Sequence, residues 1–214
     1  MASQLDIYNF ALGNVGNSYE VGSLTEDSNE RRVCARFFDM VHDMVLSECP
    51  WPFSTKTQAL SVSSEDAPIG WTYRYTYPSD CAKAWLIVDE GGIRDATVNV
   101  FTSFISQDFF RQDFIPFEVM HGDDQTSIVC DLDEAYLIYA SNATPISRYS
   151  ANLVNALSWG LAFYIAGPLG SIPLNERQGY FQNFQFALAE AKAHAFNESK
   201  QDPAPSTPSI LARQ

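Results

Sequence analysis

The chain has 214 residues, 46% apolar and 18% charged, a composition that builds a packed core and argues against an intrinsically disordered chain. Its 26 acidic residues against 13 Lys and Arg give a formal net charge of −13. That balance argues against a protein that wraps nucleic acid, because wrapping needs a basic surface to displace counterions.

In chain order, the first predicted element is a helix over residues 3–12, with Leu5, Tyr8, Ala11 and Leu12 on one face. Gly13 and Gly16 are expected to end it. The start, MASQLDIYNF, has no basic opening and carries Asp6, so no signal peptide is expected. A longer helix is expected over residues 25–48, with Thr25 as its N-cap and Glu26 and Asp27 at the positive end of its dipole. Val33, Phe37, Val41, Met44 and Val45 form its apolar stripe, and Cys34 and Phe38 widen it. A stripe that wide predicts a helix covered on more than one side. His42 is expected on or beside its polar face.

The stretch SECPWPFSTKTQAL stops that helix, because Pro50 and Pro52 lack an N–H and clash with the turn before them. Trp51 and Phe53 straddle Pro52 and are expected to anchor the exit in the seam between the helices and the segment that follows.

Residues 57–140 carry short runs rich in Tyr, Thr, Val, Ile and Phe, broken by Gly, Pro and Asp clusters. WTYRYTY alternates, placing Tyr73, Tyr75 and Tyr77 on one face and Thr72, Arg74 and Thr76 on a wet one. AWLIV, ATVNVFTSF, DFIPFEVM, TSIVC and AYLIYA follow, with DEGG and HGDD as turns between them. An antiparallel region of about five or six strands is expected.

From Tyr149 the helical period returns. SANLVNALSWGLAFYIAG is expected to stop at Pro168 and Gly170. A last helix is expected to carry Tyr180, Phe181, Phe184, Leu188, Ala191 and Ala195. Gly160, Gly167 and Pro168 interrupt the longest apolar run, so no membrane span is expected. QDPAPSTPSILARQ, with three prolines, is expected to be an extended tail. The expected fold class is therefore α+β. Residues 1–50 and 149–200 form a helical bundle from the N- and C-terminal helix pairs, residues 51–148 an inserted antiparallel β domain, and residues 201–214 the tail.

Motifs for chemistry are sparse. Cys34, Cys49, Cys81 and Cys130 make no CxxC pair and are expected to be reduced thiols in a cytoplasm-like compartment. His42, His121 and His194 are separated, with no HExxH or HxH. DLDE at 131–134 and GDD at 122–124 lack the spaced oxygens and closing glutamate of an EF-hand loop. No serine elbow or Walker loop occurs, and ALGNVGN follows a helix and not a strand, unlike a nucleotide-binding turn. No cofactor, no metal and no enzymatic activity are expected.

Four segments together resemble the head-to-tail adaptor family of short-tailed bacteriophages, also called tail tubular protein A. They are NFALGNVGNSYEVGSLTEDS, PWPFSTKTQAL, YRYTYPSDCAKAWLI and DLDEAYLIYASNATPISRYSANLVNALSWGLAFYIAGPL. They fall in the same order as in that family. Pro52 stands where Asn is more usual there, and the second glycine turn is spaced differently. The resemblance implies a structural protein of the virion, made in the host cytoplasm. It implies a twelve-fold ring of this chain, joined to the portal protein on one side and to a tail nozzle or tail hub protein on the other. It also implies genomic DNA passing through the ring without sequence-specific binding. An acidic chain suits a channel through which DNA slides. Within the tail, Ile210, Leu211 and Arg213 are the residues expected to contact the portal or a neighbouring subunit. The rival expectations are a tail-associated hydrolase of bacterial surface polymers acting through a carboxylate pair, and a monomeric binding module with no virion role.

Overall fold

The computed structural model describes residues 2–92, 115–122 and 125–198. It is an α+β protein with four α-helices and two antiparallel three-stranded sheets among those residues. Helix α1 spans Gln4–Asn14 and begins on a reciprocal cap. Asp6 N donates to Ser3 Oγ at 3.2 Å, and Ser3 N donates to the Asp6 carboxylate at 2.8 Å. The helix runs two residues past the predicted end, taking Gly13 into its last turn. Gly16, at φ 75°, then turns the chain away, and Asn17 N closes the end on Leu12 O at 2.9 Å.

Helix α2 spans Asn29–Leu46 and starts later than expected. Its cap is Ser28 and not Thr25: Ser28 Oγ accepts from Arg31 N at 3.2 Å. The reason lies in Glu26, whose carboxylate accepts from Gly22 N at 2.8 Å, from Tyr19 OH at 3.2 Å and from Ser28 Oγ. Wound around that side chain, residues 22–26 hold a turn and are not free to extend the helix. Met44 and Phe37 of the predicted stripe are only half-buried, while Val33, Cys34, Phe38, Val41, Val45 and Leu46 are buried. His42 is buried with them, which corrects its expected place on the polar face.

The strands are β1 (Thr55–Ala59), β2 (Tyr73–Thr76), β3 (Cys81–Val88), β4 (Phe117–His121), β5 (Thr126–Cys130) and β6 (Tyr136–Ser141). They pair as β1–β6–β3 and β2–β5–β4. Tyr75, Ile128 and Cys130 from one sheet meet Ile87, Leu137 and Tyr139 from the other in a shared core. The Arg74 side of β2 is not simply wet. Arg74 pairs with Glu65 at 2.6 Å and donates to Ser127 Oγ at 3.0 Å. Asp80 ties the first sheet together by accepting from Lys56 Nζ at 2.6 Å, Ser141 Oγ at 2.7 Å and Tyr139 OH at 2.9 Å. Partial burial works against its charge, but these donors outweigh it and hold the carboxyl down at about 2. The predicted strand at ATVNVFTSF lies outside the described residues.

A 3₁₀ turn at Ile146–Arg148 leads into helix α3 (Ala151–Gly170), and helix α4 (Gln178–Glu198) follows. Pro168 does not stop α3 but lies inside its last turn. The chain ends the helix at Ser171, in the left-handed region at φ 51°. By length and composition, with mean hydropathy 1.3, α3 could cross a membrane. Its apolar residues are instead used inside the protein, where α1, α2 and α4 all pack on it. Gly160 permits the closest of these approaches: a Cβ there would stand 2.9 Å from Val41 Cγ1 of α2 and 3.0 Å from Phe184 Cε2 of α4. One helical core thus joins the two ends of the described chain, with the sheets formed by the segment between them.

Candidate functional site

The seam where the helices meet the β region is built on aromatic side chains. Trp51 is 1% exposed, and its Nε1–H donates to Val45 O at 2.9 Å. That carbonyl belongs to the last turn of α2, where it also accepts from Glu48 N at 3.2 Å. Ser47 Oγ donates to Met44 O at 2.9 Å, and Lys83 Nζ reaches Ser47 O at 3.1 Å from β3. Trp51 therefore closes the helix that Pro50 prevents from continuing. Its own carbonyl starts β1 by accepting from Ser54 N at 3.0 Å and Thr55 N at 2.9 Å.

From this point a row of rings crosses the helical body. Trp51 stacks on Phe53 with centroids 6.0 Å apart, and Phe53 meets Tyr149 at 4.9 Å. Tyr149 stacks on His42 at 5.8 Å, His42 on Phe38 at 5.6 Å, and Phe38 meets Tyr8 edge-on at 5.5 Å. The row links α1, α2, the turn into β1 and the segment entering α3. His42 Nε2 and Tyr149 OH are 2.6 Å apart, and His42 Nδ1 is 3.5 Å from Asp43 Oδ1. Burial pushes the imidazole below its ordinary value against the pull of the Asp43 carboxylate. Burial, with Asp43 adding to it, pushes Tyr149 up to about 12. Both groups are thus kept neutral near pH 7.

A cavity of about 580 Å³ adjoins this pair, lined by Phe38, Asp39, His42, Asp43 and residues 142–146. Its lining includes no serine or cysteine that His42 could activate. Burial raises the thiols of Cys34 and Cys49 to about 12, which makes them poor nucleophiles. Among the described residues no group of three or more His, Cys, Asp or Glu side chains is placed to hold a metal ion. Asp131 Oδ1 accepts from Thr72 N at 2.9 Å and from Thr72 Oγ1 at 2.8 Å, binding the chain before β2 to the turn after β5.

The other features are on the outer faces of the helices. A half-open cavity of about 570 Å³ lies between α1 and α3, lined by Ala2, Asn9, Phe10, Gly13, Asn14, Tyr149, Ala151, Val154, Asn155 and Ser158. Phe10 at its rim is 55% exposed. Helix α4 rests on α3 through Phe184, Ala187, Leu188, Ala191 and Ala195 and turns Phe186, 69% exposed, to the outside. Charge is absent from these elements over long runs: residues 7–19, 149–175 and 178–189 contain no Asp, Glu, Lys or Arg.

The structure brings Trp51 and Phe53 together at the seam, where they touch Val45 and Tyr149. Ile210, Leu211 and Arg213 lie outside the described residues, as do Asp123 and Asp124 of the HGDD turn. Tyr149 and the Phe10 cavity have no counterpart among the sequence expectations, although the charge-free runs that frame the cavity can be read directly from the residues. No protein-family model matches the chain, and no curated protein matches it.

Proposed function

We propose that the chain is a ring-forming head-to-tail adaptor of a bacteriophage, joining the portal protein to the tail nozzle or hub and surrounding the DNA exit channel. The resemblance of its four ordered segments supplies the virion setting. The observation that supports assembly as its mode of action is the distribution of charge. In a chain of net charge −13, the exposed faces of α1 and α4 carry large aromatic side chains inside runs with no charged residue. Surfaces of that kind suit protein contacts, where charge is depleted and aromatics are enriched. The acidic remainder suits a channel that DNA traverses without sticking. On this reading the protein acts through shape and contact and not through catalysis, and it works in the virion after assembly in the host cytoplasm.

Electron microscopy of the protein mixed with the portal ring of its own virus tests the proposal. The expected result is a second twelve-fold layer on the portal. Free portals beside unattached, folded protein would overturn it.

A further inference from the structure

We infer that the cavity between α1 and α3 is a socket for the outer face of α4 of a second copy of this chain, with Phe186 as the inserted side chain. This contact would join neighbours in the proposed ring and so rests on that reading. Three observations carry it.

The first is charge. Two copies, each of net charge −13, repel where their carboxylates meet, so a close contact is favoured through faces that hold few of them. The socket lining contains no Asp, Glu, Lys or Arg. On α4 the twelve residues from Gln178 to Ala189 contain none either.

The second is shape. Gly13 borders open space in the socket: a Cβ there meets no atom within 4 Å. At about 570 Å³ it has room for an aromatic ring with its flanking residues. The exposed face of α4 offers such a ring. Phe186 shares that face with Gln182, Ala189 and Ala193, all exposed, and Glu190, one turn on, is the carboxylate that borders it.

The third is placement. The socket lies between α1 and α3, and Phe186 lies on the side of α4 turned away from α3, so knob and hole are separate patches of one molecule. A contact between unlike patches is head-to-tail, the kind that closes into a ring or continues as a filament. Asn9 and Asn14 are already engaged, Asn9 with Val21 at 2.8 and 3.1 Å and Asn14 with Ser158 Oγ at 3.3 Å. Of the three asparagines that line the socket, only the exposed Asn155 is then left to meet a polar group of the incoming face.

Cysteine cross-linking tests this contact. Ala151→Cys marks the socket rim and Ala189→Cys marks the α4 face, both at exposed alanines and both leaving Phe186 in place. The double variant, oxidised at high concentration and again with the portal ring present, should give disulfide-linked dimers, trimers and longer ladders. A mixture of the two single variants should stop at dimers. Adding Phe186→Ser, or filling the socket with Gly13→Trp, should weaken the association that produces the ladder about tenfold or more. Absence of linked chains from the double variant, or a ladder unaffected by both Phe186→Ser and Gly13→Trp, would overturn the inference. A twelve-fold layer on the portal without the ladder would remove this contact and leave the adaptor reading standing. A ladder without a portal-bound layer would do the reverse.

Discussion

Replacing Trp51 separates the two roles the seam gives it. The indole is 1% exposed, and an aromatic of this kind buries roughly 150–250 Å². At about 25 cal/mol per Å² that area corresponds to about 4–6 kcal/mol. Trp51→Ala keeps only the Cβ, so the expected loss is about 3–5 kcal/mol, in line with other large aromatic deletions. Trp51→Phe keeps most of the ring and its stack on Phe53 but removes the Nε1–H donated to Val45 O, which keeps Glu48 N at 3.2 Å. Losing that one hydrogen bond costs about 0.5–1.5 kcal/mol. The assay is equilibrium unfolding in urea followed by far-UV circular dichroism, with the slope on denaturant checked for constancy between variants. If Trp51→Phe falls within about 0.5 kcal/mol of the parent, the indole does not cap α2, since surface-like substitutions change stability by no more than that. If Trp51→Ala costs no more than Trp51→Phe, the packing role is refuted instead.

Three further outcomes follow from the same geometry. His42 is held below its ordinary value of 6.5, so the folded state favours the neutral ring. The stability this contributes is present above that value and is lost as pH falls through it toward the folded-state pKa. The fall in unfolding free energy between pH 7.5 and 5 should therefore be smaller in His42→Gln than in the parent, and equal falls would refute the assignment. Asp80, held at about 2, contributes stability that is present above 3.8 and lost as pH drops toward 2. Asp80→Ala at neutral pH should cost about 1–3 kcal/mol in thermal or urea unfolding, because it removes the acceptor of buried Ser141 Oγ and leaves Tyr139 OH with Gln58 Oε1 alone. Gly160→Ala should lose up to about 2 kcal/mol, the overpacking against Val41 and Phe184 exceeding the helical gain of about 1 kcal/mol. Gly13→Ala meets nothing and should gain roughly 0.5–1 kcal/mol, so urea unfolding of the two variants should move in opposite directions.

The order of elements was legible in the residues because each signal is local. Apolar periodicity marks the four helices, alternation marks WTYRYTY, and Pro50 with Pro52, two prolines in three residues, marks a break. Trp51 and Phe53 stood out for the same reason, since an aromatic pair around a proline at a helix exit has few places to go. The exposed apolar faces were legible only in part. Runs without charge are visible in the sequence, but whether Phe184 or Phe186 faces the core depends on where α3 lies.

What the sequence alone determined is thus the α+β class, the helix–strand–helix order and the acidic composition with no CxxC pair. Tertiary structure decided the rest through contacts between residues far apart in the chain. His42 is buried and not on a polar face because Tyr149, 107 positions away, packs against it. The strands divide into two sheets because β1 and β3 both pair with β6, leaving β5 to pair with β2 and β4. Pro168, itself exposed, remains in the last turn because the turns before it, Leu153 to Ala166, are held by three other helices, and that packing outweighs the single backbone hydrogen bond a proline removes. Local pattern cannot carry these outcomes, because each depends on the identity and position of a partner that only the folded chain brings close.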